Sequence, residues 1–214
     1  MAAPNKSYGI RRAFVQTFAS DNIVLVQALG ICPIIAAGVS LQRAVALTVC
    51  TLVAMIPCSL LMSTIGKKIS NLWRAPIYVL LAMALMVGCG YVLTTYISPE
   101  LYAYLYLFLP LMSVNSLFTY HGAGFSSGRS PLLALVDAIG TSLGFGLVIC
   151  IVSTLRELAI GGTIWGVPVG FEARFPEATY PFAAFILLGF MAATLQQLKK
   201  KYLRGSQEEV LIGE

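Results

Sequence analysis

The feature that most constrains this chain is the spacing of its charges. Six stretches carry no Asp, Glu, Lys or Arg: residues 22–42, 44–66, 75–99, 101–128, 138–155 and 178–198. They hold 21, 23, 25, 28, 18 and 21 residues, 136 of the 214 in the chain. A helix rising about 1.5 Å per residue needs about 20 residues to cross a hydrocarbon core of about 30 Å, and each stretch is near that length. Charged residues make up 11% of the chain, where a soluble domain has about a quarter. An ordinary soluble globule, a disordered chain and a small disulfide scaffold are all excluded. A membrane β-barrel is disfavoured too, because its strands alternate apolar and polar residues and Tyr78 to Val87 shows no alternation. The expectation is an all-α integral membrane protein with six transmembrane helices.

Met1 to Asp21 is mixed and polar, unlike a cleavable signal peptide. With Arg11 and Arg12 beside Phe14 and Phe18, residues 1–21 read as an interfacial segment on the cytoplasmic side. Six spans put both termini on one face. If that face is cytoplasmic it carries Lys6, Arg11, Arg12, Lys67, Lys68, Arg74, Arg129, Lys199, Lys200, Lys201 and Arg204, leaving Arg43, Arg156 and Arg174 outside. Eleven against three predicts cytoplasmic termini, a transmembrane domain over 22–198, and a cytoplasmic tail over 199–214. The Lys199–Lys201 run reads as a topology anchor attracted to lipid headgroups. Arg156-Glu157 reads as an interfacial pair that anchors the end of a helix.

The windows are not equivalent. The first is interrupted at Gly30-Ile-Cys-Pro33, where proline removes a helix donor and restricts the residue before it. The fourth, about 101–118, carries Pro110 followed by Asn115-Ser116. Pro57 predicts a kink in the second. Interruptions in windows one and four occupy matching places if the chain is two sets of three, about 22–97 and 101–198, in opposite orientations. Broken helices then meet near the midplane, the arrangement of inverted-repeat transporters. Ser63-Thr-Ile65 and Ser153-Thr-Leu155 match at an offset of 90, the main sequence echo of such a repeat. Irregular backbone at membrane depth survives only when buried in protein or lining a cavity.

Few residues carry chemistry. His121 is the one histidine and stands in a Gly-rich loop, Tyr120 to Arg129, that reads as plain surface. No phosphate loop or dinucleotide fingerprint is present. Cys32, Cys50, Cys58, Cys89 and Cys150 all fall in the spans without a CxxC pair. Four read as packing residues. Cys32 differs by standing at an interruption, and one cysteine cannot hold a metal centre alone. Asp137 is the one carboxylate well inside an apolar stretch. It reads either as an ion-pathway group or as an interface residue reaching the headgroups.

These segments together resemble one family: the six-span membrane subunits shared by the Rnf and Nqr redox ion pumps, in the Rnf E / Nqr D branch. Val26-Gln-Ala-Leu-Gly-Ile-Cys-Pro33 looks like that family's first broken helix, and Arg74-Ala-Pro-Ile-Tyr-Val79 like its entry to span 3. Leu101-Tyr102, Phe108-Leu-Pro-Leu111 and Asn115 resemble its second broken helix. Ala134 to Asp137, Leu155-Arg-Glu-Leu158 and Gly161-Gly-Thr163 resemble its fifth span and exit loop. The Leu-Gly-x-Cys-Pro segment is the most specific of these.

What the resemblance implies is half of a membrane redox site. Two homologous, inversely oriented subunits each give two cysteines from their broken helices to an iron–sulfur cluster (2Fe-2S) near the midplane. The partners implied are that inverted subunit (Rnf A / Nqr E type), flavin-bearing and iron–sulfur subunits, and lipid, with no nucleic acid. The chain would be an electron-transfer subunit of a redox-driven ion translocase, between a ferredoxin or NADH side and flavin subunits. It would have no catalytic site of its own and would sit in a bacterial or archaeal inner membrane. The first cysteine carries over onto Cys32, with Gly30, Pro33 and Asn115 shaping the pocket. The second position is Ser116, and Tyr120 to Phe125 stands where the family has a Gly-Arg-x-Glu segment. Alkoxide is a harder donor than thiolate and would lower the potential. Serine ligation, three cysteines with another fourth group, and no cluster all stay open; a retained cluster with an altered fourth ligand is favoured. The alternative is a non-redox transporter or scaffold that kept the inverted-repeat fold.

Overall fold

The charge-free windows become helices. The computed structural model describes residues 23–66, 68–119, 130–170 and 175–212. The interfacial lead-in, most of the loop around His121, and Arg129 lie outside the described residues. Two short helices, α1 (Ile23–Gln27) and α2 (Ile31–Ala37), fill the first window. Helix α3 (Leu41–Ile65) fills the second, and α4 (Asn71–Val92) the third, ending in a wider π turn at Leu93–Ile97. The fourth window is divided into α5 (Pro99–Leu105), α6 (Phe108–Val114) and α7 (Ser116–Phe118). Helix α8 (Pro131–Gly161) takes the fifth. A two-stranded antiparallel ribbon comes next, β1 (Thr163–Ile164) with β2 (Val167–Pro168), then a 3₁₀ turn at Pro176–Thr179. Helix α9 (Pro181–Ile212) closes the chain and continues through Lys199–Lys201.

The described residues are mostly helical, and among them three helices are long and apolar enough to cross a membrane: Leu41–Ile65, Leu72–Ile97 and Pro131–Gly161. Pro181–Gln197 is a shorter apolar stretch. Several boundaries follow from local chemistry. Ser98 is extended, with φ −160° and ψ 119°, and Pro99 opens α5. Proline suits a first helical turn, where its missing N–H would have had no partner. Helix α3 is unbroken through Pro57.

The most extensive helix packing joins α3 to α8. In lipid there is no hydrophobic drive between helices, so small residues that permit close approach carry the contact. Helix α8 supplies Ala138, Gly140, Ser142, Gly144 and Gly146, all buried. A Cβ at Gly146 would strike the Thr48 side chain of α3. Thr48 and Thr51 turn their hydroxyls back to the Ala44 and Leu47 carbonyls, both at 2.7 Å. Their hydroxyls are thereby satisfied without water.

The predicted interfacial role of Arg156-Glu157 is corrected by the structure. Helix α8 does not end at these charges but carries them inside, with Arg156 1% and Glu157 8% exposed. Arg156 donates from Nη1 to the Ile35 and Gly38 carbonyls at 2.9 and 3.1 Å. It also donates from Nε to Ala178 O at 2.9 Å and from Nη2 to Thr179 O at 2.7 Å. Glu157 accepts from Leu41 N at 2.7 Å and from Gly166 N at 2.8 Å. One residue thus serves the last carbonyls of α2, and the next serves the first N–H of α3. Those are the backbone groups a helix end cannot satisfy itself. The signs also match the helix termini, cation at a C-terminus and carboxylate at an N-terminus. The pair clamps the α2–α3 corner to the ribbon and the 3₁₀ turn.

Candidate functional site

Both interruptions lie close to where the sequence predicts them, but the cause of the first is different. Between α1 and α2, Ala28 and Gly30 take left-handed conformations, φ +56° and +79°. Glycine adopts such a φ without strain. Pro33 is not the breaker. It is the third residue of α2, whose N–H would have had no intrahelical partner. Pro110 holds the same third position in α6, but the Tyr106-Leu107 step before it keeps helical φ and ψ, so there the missing N–H of the proline interrupts the hydrogen-bond ladder. The fourth window is broken at Tyr106-Leu107 and again at Asn115, which is extended with ψ 145°.

Asn115 caps the helix that resumes after it. Its Oδ1 accepts from Leu117 N at 3.1 Å and from the Ser116 hydroxyl at 3.2 Å. Asparagine is among the strongest N-cap residues because its side-chain oxygen replaces a missing helix acceptor.

The two interruptions adjoin. Gly30 is buried, and a Cβ there would sit 3.6 Å from Leu117 of α7 and 3.5 Å from Phe145 of α8. Helices α2 and α6 also pack on each other. Between them lies a cavity of about 270 Å³, lined by Cys32, Pro33, Phe108, Leu111, Met112, Val114, Asn115 and Ser116. Cys32 and Ser116 are exposed on the isolated chain, and Asn115 is half-buried. The fold therefore brings four of the sequence-predicted site residues, Cys32, Pro33, Asn115 and Ser116, to one opening, with Gly30 packed behind it. Of the apolar wall, Phe108 fell in the segment singled out from sequence, and Met112 and Val114 did not. Its signal was the proline at the third position of a helix, matched between Pro33 and Pro110.

The donor set of this cavity is one thiol and one hydroxyl. Cys50, Cys58, Cys89 and Cys150 do not line it. Among the described residues, no group of three or more His, Cys, Asp or Glu side chains is placed to hold a metal. An iron–sulfur cluster takes about four ligands, normally cysteine thiolates. The one thiol and one hydroxyl here could hold such a group only together with ligands from another chain.

Asp137 lies apart from the cavity lining, on the buried face of α8 and 3% exposed. Of its two readings, the reach to the headgroups is the one that this burial disfavours. Tyr78 of α4, fully buried, lies beside Ser59 and within electrostatic reach of Asp137.

Comparison with known proteins gives a consistent picture. Residues 10–192 match the family model described as "Rnf-Nqr subunit, membrane protein". A protein of Shewanella loihica, named as the E subunit of the ion-translocating oxidoreductase complex, is 30% identical over 196 residues, 85% of this chain and 84% of the relative. Proteins of the same name from Aliivibrio fischeri (strain ATCC 700601 / ES114) and Shewanella sp. (strain ANA-3) are 27% and 28% identical. They cover 85% and 90% of this chain, and 86% and 88% of their own lengths.

Proposed function

Because the chain belongs to the Rnf-Nqr membrane subunit family, we propose that it is the E-type electron-transfer subunit of an ion-translocating oxidoreductase complex. In this reading six crossing segments form two inverted halves, with cytoplasmic termini in a bacterial inner membrane. The exposed cavity between the two interruptions faces a homologous inverted subunit. The observation that carries this is the convergence of Cys32 and Asn115–Ser116 on one opening from windows one and four. Broken helices meeting at a shared cavity are how inverted-repeat membrane proteins build a functional site.

Cys32 would supply a thiolate to a 2Fe-2S cluster shared across that interface, and Ser116 would stand at the altered fourth position. When bound, such a group supplies a one-electron relay between the donor side and the flavin-bearing subunits. The chain's own part is to hold Cys32 at a fixed place and to keep the surroundings apolar. The exposure of Cys32 and Ser116 supports a site completed by another chain.

The test uses the intact complex carrying Cys32→Ala. Loss of a reduced-state paramagnetic resonance signal, with the complex still assembled, is the expected result. An unchanged signal and unchanged electron flow would remove Cys32 from the site. A second reading, a transporter or scaffold without the cluster, draws on one observation, the hydroxyl at Ser116 where the family has a thiol. Iron absent from the pure complex at this subunit pair would favour it.

Asp137 belongs to the same proposal as an ion-pathway group. A carboxylate inside a membrane protein is costly and is kept for a reason. Asp137→Asn should reduce ion translocation more than electron transfer, measured together in proteoliposomes.

A further inference from the structure

A second pair of thiols stands far from the cavity, in the hairpin formed by α3 and α4. These consecutive helices are joined by the short segment 66–70 and pack against each other, so they run antiparallel. Cys50 stands 15 residues before the end of α3 at Ile65, and Cys89 stands 18 residues after the start of α4 at Asn71. In an antiparallel hairpin those are matched depths. The two side chains are near neighbours across the helix pair. Each is roughly 12–14 Å along its helix from the outer end, at about 1.5 Å per residue.

Both residues also line an open groove on this face. The groove, of about 740 Å³, runs between α3 and α4, walled by Val45, Val49, Val53, Leu85 and Val92 among others. Gln42, Ser98 and Trp165 line it as well. Cys50 is 5% exposed and Cys89 half-buried, so the pair is reached from the groove. Cys58 differs: it is fully buried, and packing accounts for it.

We propose that Cys50 and Cys89 form a reversible dithiol–disulfide site, oxidised by a lipid-soluble quinone. Two neighbouring thiols that open on one groove are placed to be oxidised together, through the thiolate of one attacking the other once that is activated by the oxidant. The balance is simple. Two S–H bonds break and one Sγ–Sγ bond forms, while two electrons and two protons pass to the quinone, which becomes a quinol. The groove's apolar walls admit an oxidant dissolved in the hydrocarbon phase and exclude an aqueous one. The bond would pin α3 to α4 at mid-depth. It is independent of the cluster reading, since neither cysteine borders the Cys32 cavity.

The test uses membranes containing the full complex, kept air-free and treated with a decyl-substituted benzoquinone. Free thiols are then blocked with N-ethylmaleimide, and the peptides are identified by mass spectrometry. The expected result is a Cys50–Cys89 linked peptide at least tenfold above untreated membranes, released by dithiothreitol. Cys58 should stay alkylated, and Cys50→Ser should leave Cys89 alkylated. Equal alkylation of Cys50 and Cys89 with and without quinone overturns the proposal. So does a linked peptide formed equally well by impermeant ferricyanide, which would put the pair in contact with water.

Discussion

The two interruptions that meet at the cavity are built by different means. The first is a backbone device: Ala28 and Gly30 turn the chain through positive φ, and the half-helix beyond is gripped at its far end by Arg156. The second is a side-chain device, in which Asn115 takes an extended conformation and caps the short helix α7. The donor atoms differ in the same way. Cys32 presents a thiol, whereas Ser116 presents a hydroxyl already donating to Asn115 Oδ1. In neither case does the donor residue make the break. The shape of the site is thus separable from the chemistry of its donor atoms.

The largest test of this asymmetry is Arg156→Ala. Four carbonyls would lose a charged donor at 3.1 Å or less, and a fully buried side chain would leave a void. Hydrogen bonds to charged groups contribute about 1.5–3 kcal/mol each, though not additively, so a loss of at least about 3 kcal/mol is expected. Thermal unfolding of the detergent-purified complex measures it. Alkylation of Cys32 should change more than labelling of a cysteine placed at Ser116, because the clamp holds only the first half-helix. Equal changes at both positions would mean that the two halves move as one.

Arg156 also shows where the sequence was misleading. Charge-free windows located α3, α4 and α8 because a charge usually marks the water boundary. The rule fails for the Arg156-Glu157 step, where backbone carbonyls and N–H groups replace water. Helix α8 therefore runs six residues past the window that ends at Leu155, to Gly161. Of the two prolines, Pro33 misled, for it lies beyond a break that φ angles produce. Pro110 did not: Tyr106 and Leu107 keep helical φ and ψ, and the missing N–H of Pro110 leaves the Tyr106 carbonyl without its helix donor. What was legible was the place of each break and the residues Cys32, Asn115 and Ser116. The clamp was not, since its partners are backbone atoms, some 9 to 23 residues away and some more than 100.

Gly30→Ala comes next in size. The φ of +79° costs a residue with a Cβ about 1–2 kcal/mol. The space itself would accept a methyl, with neighbours at 3.5–3.6 Å. Loss of stability in this range, with the cavity intact to thiol probes at Cys32, is expected. A much larger loss would show that packing against Phe145 and Leu117, rather than the backbone, sets the first break. Asn115→Ala ranks below it at about 1 kcal/mol, the usual cost of an N-cap. Asn115→Ser should recover most of it, because its hydroxyl oxygen can accept from Leu117 N without placing a charge at membrane depth.

The smallest structural effect and the sharpest chemical one belong together at Ser116. The side chain is exposed, and its single hydrogen bond is long, at 3.2 Å. Ser116→Ala should therefore shift stability by no more than about 0.5 kcal/mol. Ser116→Cys should be as mild for folding, since the cap from Asn115 Oδ1 to Leu117 N needs nothing from residue 116. Its effect on the proposed cluster should be direct. A thiolate is softer and less basic than an alkoxide, so ligation through it would raise the midpoint potential in a redox titration followed by paramagnetic resonance. The pair of variants separates the two properties that the second break combines. If Ser116→Cys leaves the potential where it was while Cys32→Ala abolishes the signal, the fourth ligand lies on the partner, and this chain contributes through its first interruption alone.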